Sequence, residues 1–281
     1  MMWGLLGALA TSVCYGVGTV LQAVAARRTA RTHGVDVRMF RSLLAQTPYL
    51  TSLVVEAAGF LASIVALRSL PLFLVQAAVA SSLGVTAVCA VWFLGARLRG
   101  LELSALAALG LGLVLLAISA EPGPGLPLAP AQAWMLLAGV ALLMTLGVAV
   151  TRLPDRWACA GLAAAAGAAF GGIGIAARTL VVPQPLWHLL VDPLAWAIVG
   201  YGGSALLLFA MSLQRGSVTT TAAVTAGAET LLPAIFGVLL LGDAARSGFV
   251  GLAVAGFALT LGGAVVLARF AEPEPVAHPT S

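Results

Sequence analysis

The chain has 281 residues, of which 61% are hydrophobic and 9% are charged, and its mean hydropathy is +1.06. Ordinary soluble domains carry about 25% charged residues, so this composition excludes a soluble fold and predicts an integral membrane protein. The basic residues behind the net charge of +4 are all arginines. We interpret them as determinants of membrane topology and not as a nucleic-acid-binding surface. The bias toward Ala, Gly, Val, Leu and Arg is typical of a GC-rich bacterial genome, so a bacterial plasma (inner) membrane is the expected location.

Nine apolar runs are long enough to cross about 30 Å of hydrocarbon as helices. They cover residues 3–25, 49–67, 72–94, 101–120, 131–151, 158–178, 193–213, 217–241 and 247–269. Helices are predicted because the backbone must satisfy its own hydrogen bonds in lipid. The segment 26–48 is long enough to hold a distorted tenth segment, although its five arginines argue against burial in the membrane. The first run lacks a preceding basic region, so we interpret it as a true span and not as a signal peptide.

The arginines between the apolar runs predict the orientation of the chain. With the N-terminus outside, three arginines lie on the outer side, namely Arg68, Arg178 and Arg246. The other eleven lie on the cytoplasmic side: Arg27, Arg28, Arg31, Arg38, Arg41, Arg97, Arg99, Arg152, Arg156, Arg215 and Arg269. Because positive charge accumulates on the cytoplasmic side, this split predicts an outer N-terminus and a cytoplasmic C-terminus. Arg68 and Arg178 could attract an anionic solute, but snorkelling of their side chains to headgroups is the favoured interpretation.

A Pro/Gly-rich loop, Glu121–Pro130, divides the chain nearly in half, because such a sequence cannot continue a helix. We therefore predict a first transmembrane repeat over 1–120, a linker over 121–130 and a second repeat over 131–270. The last residues, 271–281, contain three prolines and two glutamates and are predicted to form a disordered cytoplasmic tail.

The two halves also show a weak internal repeat. A shift of 147 residues superposes Arg68 on Arg215 and Gly95 on Gly242. Because a different number of spans precedes each copy, the two copies face opposite ways across the membrane. Inverted repeats of this kind are typical of secondary transporters, whose solute site lies near the bilayer midplane between the halves.

The stretch Glu229–Asp243, ETLLPAIFGVLLLGD, resembles the ninth-helix signature of EamA-type members of the drug/metabolite transporter (DMT) superfamily. Glu229, Gly237 and Gly242 occupy the positions of that signature. Thr230 stands where the signature has proline, and Asp243 stands where it has glutamate. A proline does occur nearby, at Pro233, so any helix kink is displaced by about one turn.

The first half is more similar to the NIPA branch of the same superfamily. Its opening, SVCYGVGTVLQAVAARR (Ser12–Arg28), resembles the first helix of that branch, and VEAAGF, with Glu56 and Phe60, resembles the second. The resemblance implies an all-α carrier fold derived from ten helices, with nine spans remaining, and transport by alternating access. It also implies magnesium as the solute of NIPA relatives, and amino acids, nucleosides or other metabolites as the solutes of EamA relatives.

Glu56 and Glu229 are the two carboxylates in the interior of the predicted spans, since Glu102 stands at the very start of its span. A charged carboxylate in hydrocarbon costs about 2–4 kcal/mol or more, so such a residue normally faces a cavity or a partner. Both could bind a solute or carry a proton. The alternative is a protonated side chain that bonds to a backbone carbonyl between helices. The shift of 147 residues places Glu229 on Ser82 and Glu56 on Gly203, so the two are not equivalent positions.

Other polar side chains within the spans are further candidates for the solute site. Gln76 is preferred because its amide has four hydrogen-bonding positions to satisfy. Thr221, Thr225 and Glu229 are spaced by four and share one helix face, which is either a cavity wall or a packing surface. Tyr15, Gln22 and Tyr201 complete the predicted set.

The sequence predicts a secondary transporter of a small solute. Whether transport is coupled to protons and whether the protein forms a homodimer are left open by the sequence. A NIPA-like carrier of magnesium or another divalent cation is the first alternative. A lipid flippase or a non-transporting membrane subunit is the second. An enzyme is not predicted, since the loops contain no HExxH, DxxD or nucleophile motif. No cofactor is expected, and the scattered cysteines and histidines identify no metal site.

Overall fold

A computed structural model describes residues 2–28, 46–94, 100–123, 125–216 and 218–270, and its regular elements are helices. Within these ranges, the α-helices are α1 (Met2–Arg28), α2 (Thr47–Leu67), α3 (Leu72–Ala80), α4 (Ser82–Leu94), α5 (Gly100–Ser119), α6 (Pro130–Val150), α7 (Asp155–Thr179), α8 (Pro193–Leu213), α9 (Val218–Leu240) and α10 (Val250–Phe270). A short 3₁₀-helix covers Leu186–Leu190.

The prediction of an all-helical protein is confirmed for the described residues, as is the predicted number of helices that could cross a membrane. Nine stretches there are long and apolar enough to cross a membrane, with α3 and α4 forming a single span. The proposed tenth segment in 26–48 falls largely on residues 29–45, which lie outside the described residues, as does the predicted tail 271–281.

The span formed by α3 and α4 differs from its prediction because the helix is interrupted at Ser81. The Ser81 hydroxyl donates to the carbonyl oxygen of Ala78 at 2.7 Å, and it lies 2.7 Å from the hydroxyl of Ser12 on α1. A serine that bonds to its own helix backbone in this way commonly bends a helix. The interruption is therefore stabilised by two hydrogen bonds of Ser81, which a hydropathy profile cannot reveal.

Several helices begin where proline is favoured. Pro48 lies in the first turn of α2, and Pro130 and Pro193 are the first residues of α6 and α8. Proline suits these positions because the first backbone N–H groups of a helix have no partner within it. The Asp192 carboxylate also accepts a hydrogen bond from the Leu194 N–H at 2.8 Å, which caps α8.

Four connecting segments lie at one end of the helix bundle, which we call the linker end: 68–71, 120–129 apart from residue 124, 180–192 and 241–249. Ala120 and Ala245 form an isolated antiparallel bridge there. The Gly123 N–H donates to the Ser69 carbonyl oxygen at 3.1 Å, and the Leu126 N–H donates to that of Leu241 at 3.0 Å. Backbone hydrogen bonds thus fasten the linker to the turns beside it.

The helix α3 occupies the centre of the bundle, where it contacts α1, α2, α5, α7, α9 and α10. Val79 is its only residue that is not buried. Around this centre, α1 packs on α2, α7 packs on α8 and α9, and α5 packs on α10. Glycines allow the closest of these approaches: a Cβ atom at Gly112 of α5 would lie 2.6 Å from the Gly256 carbonyl oxygen of α10.

Candidate functional site

A cavity of about 620 Å³ lies inside the helix bundle. Its walls come from α1 to α4 in the first half of the chain and from α7, α8 and α9 in the second. The polar side chains that line it are Tyr15, Thr19, Gln22, Glu56, Ser63, Gln76, Ser82 and Glu229. The bulky apolar ones are Phe60, Leu67, Val75, Val79, Phe170, Ile173 and Leu206. The cavity is therefore amphipathic and is shared between the halves.

Glu56 lies close to the midpoint of α2 and is held by a side chain from α1. The Gln22 amide donates to the Glu56 carboxylate, with 2.7 Å between Nε2 and Oε1. Gly18 of α1 leaves the space that this carboxylate arm occupies, because a Cβ atom there would lie 2.7 Å from Cγ of Glu56. Two residues of α1 thus position Glu56: Gln22 forms a hydrogen bond with its carboxylate, and Gly18 has no side chain that would occupy its space.

Glu229 lies close to the midpoint of α9 and is half-buried at the cavity wall. Its carboxylate receives no hydrogen bond from any of the described residues. The helix that carries it approaches α7 closely: a Cβ atom at Gly167 would lie 2.9 Å from the Glu229 backbone nitrogen. Glu229 is thus fixed by its backbone, while its carboxylate is free to bind what enters the cavity.

Tyr15 and Gln76 complete the polar centre of the cavity. The Tyr15 phenol lies within electrostatic range of both carboxylates and beside the Ser63 hydroxyl. Gln76 is only 5% exposed, and none of the described residues forms a hydrogen bond with its amide. Gly174 of α7 leaves room for that amide, because a Cβ atom there would lie 2.5 Å from Nε2 of Gln76.

The structure therefore brings five of the eight sequence-predicted residues to one cavity: Tyr15, Gln22, Glu56, Gln76 and Glu229. Their roles in binding stay predictions. The signal that singles them out is the cost of a polar side chain in the apolar interior of a membrane protein.

The other three predicted residues lie in helix contacts and do not line this cavity. Thr221 is fully buried and lies 2.9 Å from the Ser212 hydroxyl, and the Thr225 hydroxyl donates to the Ala163 carbonyl oxygen at 3.1 Å. The spacing by four does align them on one face of α9, but that face meets α7 and α8. The Tyr201 hydroxyl donates to the Leu136 carbonyl oxygen at 2.9 Å, which anchors α8 to α6.

A buried ion pair adjoins the cavity at the linker end. The Arg178 guanidinium pairs with the Asp243 carboxylate, and both side chains are at most 2% exposed. Arg178 also donates to the carbonyl oxygen of Leu67 at 2.6 Å and to that of Leu70. Asp243 accepts a hydrogen bond from the Leu72 N–H at 2.6 Å, at the start of α3. Two residues that line the cavity are thus attached to the pair: Leu67 through its carbonyl oxygen, and Ala177 as the neighbour of Arg178 in the chain.

This ion pair corrects the interpretation of Arg178 as a snorkelling side chain. The side chain turns inward, because four carbonyl and carboxylate groups from three segments of the linker end surround it. The sequence carries one signal for it: Arg178 and Asp243 are opposite charges at predicted span ends on the same side of the membrane.

Comparison of the chain with protein-family models, with curated proteins and with solved structures gave no match. The similarity to EamA and NIPA proteins therefore rests on the short sequence patterns described above. Among the described residues, no three His, Cys, Asp or Glu side chains lie close enough together to hold a metal ion.

Proposed function

We propose that this protein is a secondary transporter that carries a small solute across the membrane by alternating access. The observation that carries the proposal is the position of the two intramembrane carboxylates. Glu56 and Glu229 come from different halves of the chain, and both face one cavity near the midpoints of their helices. Since carboxylates are costly in an apolar interior, a solute cavity gives a physical reason for two of them.

We further propose that the halves are inverted repeats of a DMT/EamA-like fold. The shift of 147 residues maps α1, α2, α3–α4 and α5 onto α7, α8, α9 and α10, with helix ends that differ by at most six residues. The contacts agree with this mapping, because α1 packs on α2 and α4 as α7 packs on α8 and α9. The last helices of the two halves, α5 and α10, pack on each other. The unmatched helix is α6, which accounts for an odd number of spans.

A carrier of a divalent cation is the second candidate. Carboxylate, amide and hydroxyl oxygens line the cavity, and these are the ligands that magnesium prefers. Against it, the described lining of the cavity offers only two carboxylates, and the described residues contain no group of three His, Cys, Asp or Glu side chains that could hold a metal ion.

A lipid flippase is supported less well. A second groove of about 800 Å³ runs between α9 and α10, but its lining is apolar except for Asp243. Asp243 is already paired with Arg178, so a lipid headgroup would find no free polar partner among the described residues there.

The test is uptake into proteoliposomes, with a panel of cationic, neutral and anionic metabolites and divalent cations, with and without a proton gradient. We expect saturable uptake of a solute by the wild-type protein. We expect Glu229→Gln to lower it by about tenfold or more, since a hydrogen bond to a charged group contributes about 1.5–3 kcal/mol.

The matched control is Glu121→Gln, because Glu121 is an exposed carboxylate at the linker end, outside the cavity. We expect its uptake to equal that of the wild type. Failure of every solute to move would contradict the transporter proposal, whereas uptake restricted to divalent cations would favour the second candidate.

A further inference from the structure

The charged groups among the described residues that line the cavity are all acidic. Glu56 and Glu229 face it, whereas no arginine or histidine does. The sequence contains no lysine, so no ammonium side chain can add a positive charge to the cavity. Inside a low-dielectric cavity, charges act more strongly on one another than in water, so this lining repels an anion and attracts a cation.

The nearest buried cation does not change this balance. Arg178 follows the lining residue Ala177, but its guanidinium is paired with Asp243 and bonded to backbone carbonyls. It therefore contributes no free positive charge to the cavity.

A second observation points to a ligand independently of the charges. Gln76 is 5% exposed, faces the cavity and has no hydrogen-bond partner among the described residues. Buried amides are normally hydrogen-bonded, because an unsatisfied one costs free energy. Its partner is therefore expected from the contents of the cavity.

The size and the apolar part of the lining indicate an organic solute. A volume of about 620 Å³ falls within the range of cavities that hold small organic ligands. Phe60 and Phe170 contribute aromatic rings to the lining, and Tyr15 adds a third ring within electrostatic range of both carboxylates. Aromatic rings pack against the apolar body of a ligand and also attract an ammonium group.

We infer that the cavity binds a small organic cation, whose ammonium group pairs with Glu229 and whose apolar body packs on the aromatic rings. Glu56, held by Gln22, supplies the second negative charge, and Gln76 supplies a further hydrogen bond. This inference rests on the proposed transporter function and names the class of its solute.

The test measures binding to the purified protein in detergent, by equilibrium dialysis, so that it does not depend on flux. Three probes of nearly equal shape separate charge from size: phenethylammonium, 2-phenylethanol and phenylacetate. We expect phenethylammonium to bind about tenfold tighter than 2-phenylethanol, which is the change that one charge-assisted hydrogen bond produces. Phenylacetate is expected to bind more weakly than either.

Glu229→Gln and Glu56→Gln keep the side-chain shape and remove the charge. We expect each to weaken phenethylammonium binding by about tenfold while binding of 2-phenylethanol is unchanged. Glu121→Gln should bind all three probes as the wild type does. If Glu229→Gln does not elute as a monodisperse protein, Glu56→Gln provides the comparison.

Cation binding no tighter than binding of the neutral probe, including no binding of either, would overturn the inference. So would a cation preference that survives in both cavity variants. Binding of phenethylammonium without uptake of any solute would instead contradict the transporter proposal and leave the cation site intact. Uptake of only neutral or anionic solutes would support the transporter proposal and contradict the inference that the solute is a cation.

Discussion

Gly174 determines where the amide of Gln76 can lie. We predict that Gly174→Ala weakens solute binding by about tenfold or more, because one hydrogen bond to a charged ligand contributes about 1.5–3 kcal/mol. The added Cβ atom would lie 2.5 Å from Nε2 of Gln76, and this flexible side chain can swing away without moving the backbone. Solute binding by the purified variant measures the loss of the hydrogen bond, and its circular dichroism spectrum shows whether the helical backbone is unchanged.

Gly203 on α8 is the matched control, since a Cβ atom there would meet nothing within 4 Å. Gly203→Ala should leave binding unchanged and stabilise the helix by about 0.5–1 kcal/mol. Equal binding by both variants would show that the position of Gln76 does not matter.

Residue types explain which parts of the site could be predicted from the sequence. Glu56, Glu229 and Gln76 are detectable because their burial is costly anywhere in a membrane. Thr221 and Thr225, which do not line this cavity, carry a weaker signal. A hydroxyl can bond to a neighbouring backbone carbonyl at little cost, as Thr225 does with Ala163, so its presence does not indicate a cavity.

Among the helices, the Arg178–Asp243 pair joins the end of α7, the segment after α9 and the start of α3. We predict that Asp243→Asn destabilises the protein by about 3–5 kcal/mol, because it leaves a buried guanidinium without its counter-charge. The measurement is unfolding of the purified protein in mixed micelles of a mild detergent and SDS, followed by circular dichroism.

The chain offers a matched control in a second Arg–Asp pair. Arg215 and Asp155 approach to 3.5 Å, but the Asp155 side chain is 81% exposed. Asp155→Asn should therefore cost no more than about 1 kcal/mol. Similar losses for both substitutions would mean that burial does not set the contribution of the Arg178–Asp243 pair.

The pairing of helix ends could not be deduced from the sequence, although the ends themselves could. Prolines and Asp192 mark the starts of α6, α7 and α8 through local backbone chemistry. Arg178 and Asp243, by contrast, are 65 residues apart, and only the folded bundle brings them together.

For the whole molecule, the number of spans follows from hydropathy because lipid requires each crossing to be a long apolar helix. The interruption at Ser81 does not follow from it, since α3 and α4 are equally apolar. Nor does hydropathy identify the cavity, which depends on small residues such as Gly18 and Gly174 that leave room for side chains from neighbouring helices.

The orientation of the molecule is a prediction that the arginines carry. The segments at the linker end and the last turn of α7 beside them contain three of the fourteen arginines, namely Arg68, Arg178 and Arg246. In the sequence, ten of the other eleven lie in or beside the connections that alternate with these segments, and Arg269 lies in the last turn of α10, so the linker end should face outward. Glu121 and Gln214 are both exposed and test this, because α8 separates Gln214 from the linker end by about 30 Å.

In a background in which Cys14, Cys89 and Cys159 are replaced by alanine, we expect Glu121→Cys to react with a membrane-impermeant maleimide in intact spheroplasts. Gln214→Cys should react only after permeabilisation. The reverse pattern would invert the predicted topology. Labelling of both variants in intact spheroplasts would place positions 121 and 214 on the same side. That result would contradict the prediction that α8 crosses the membrane.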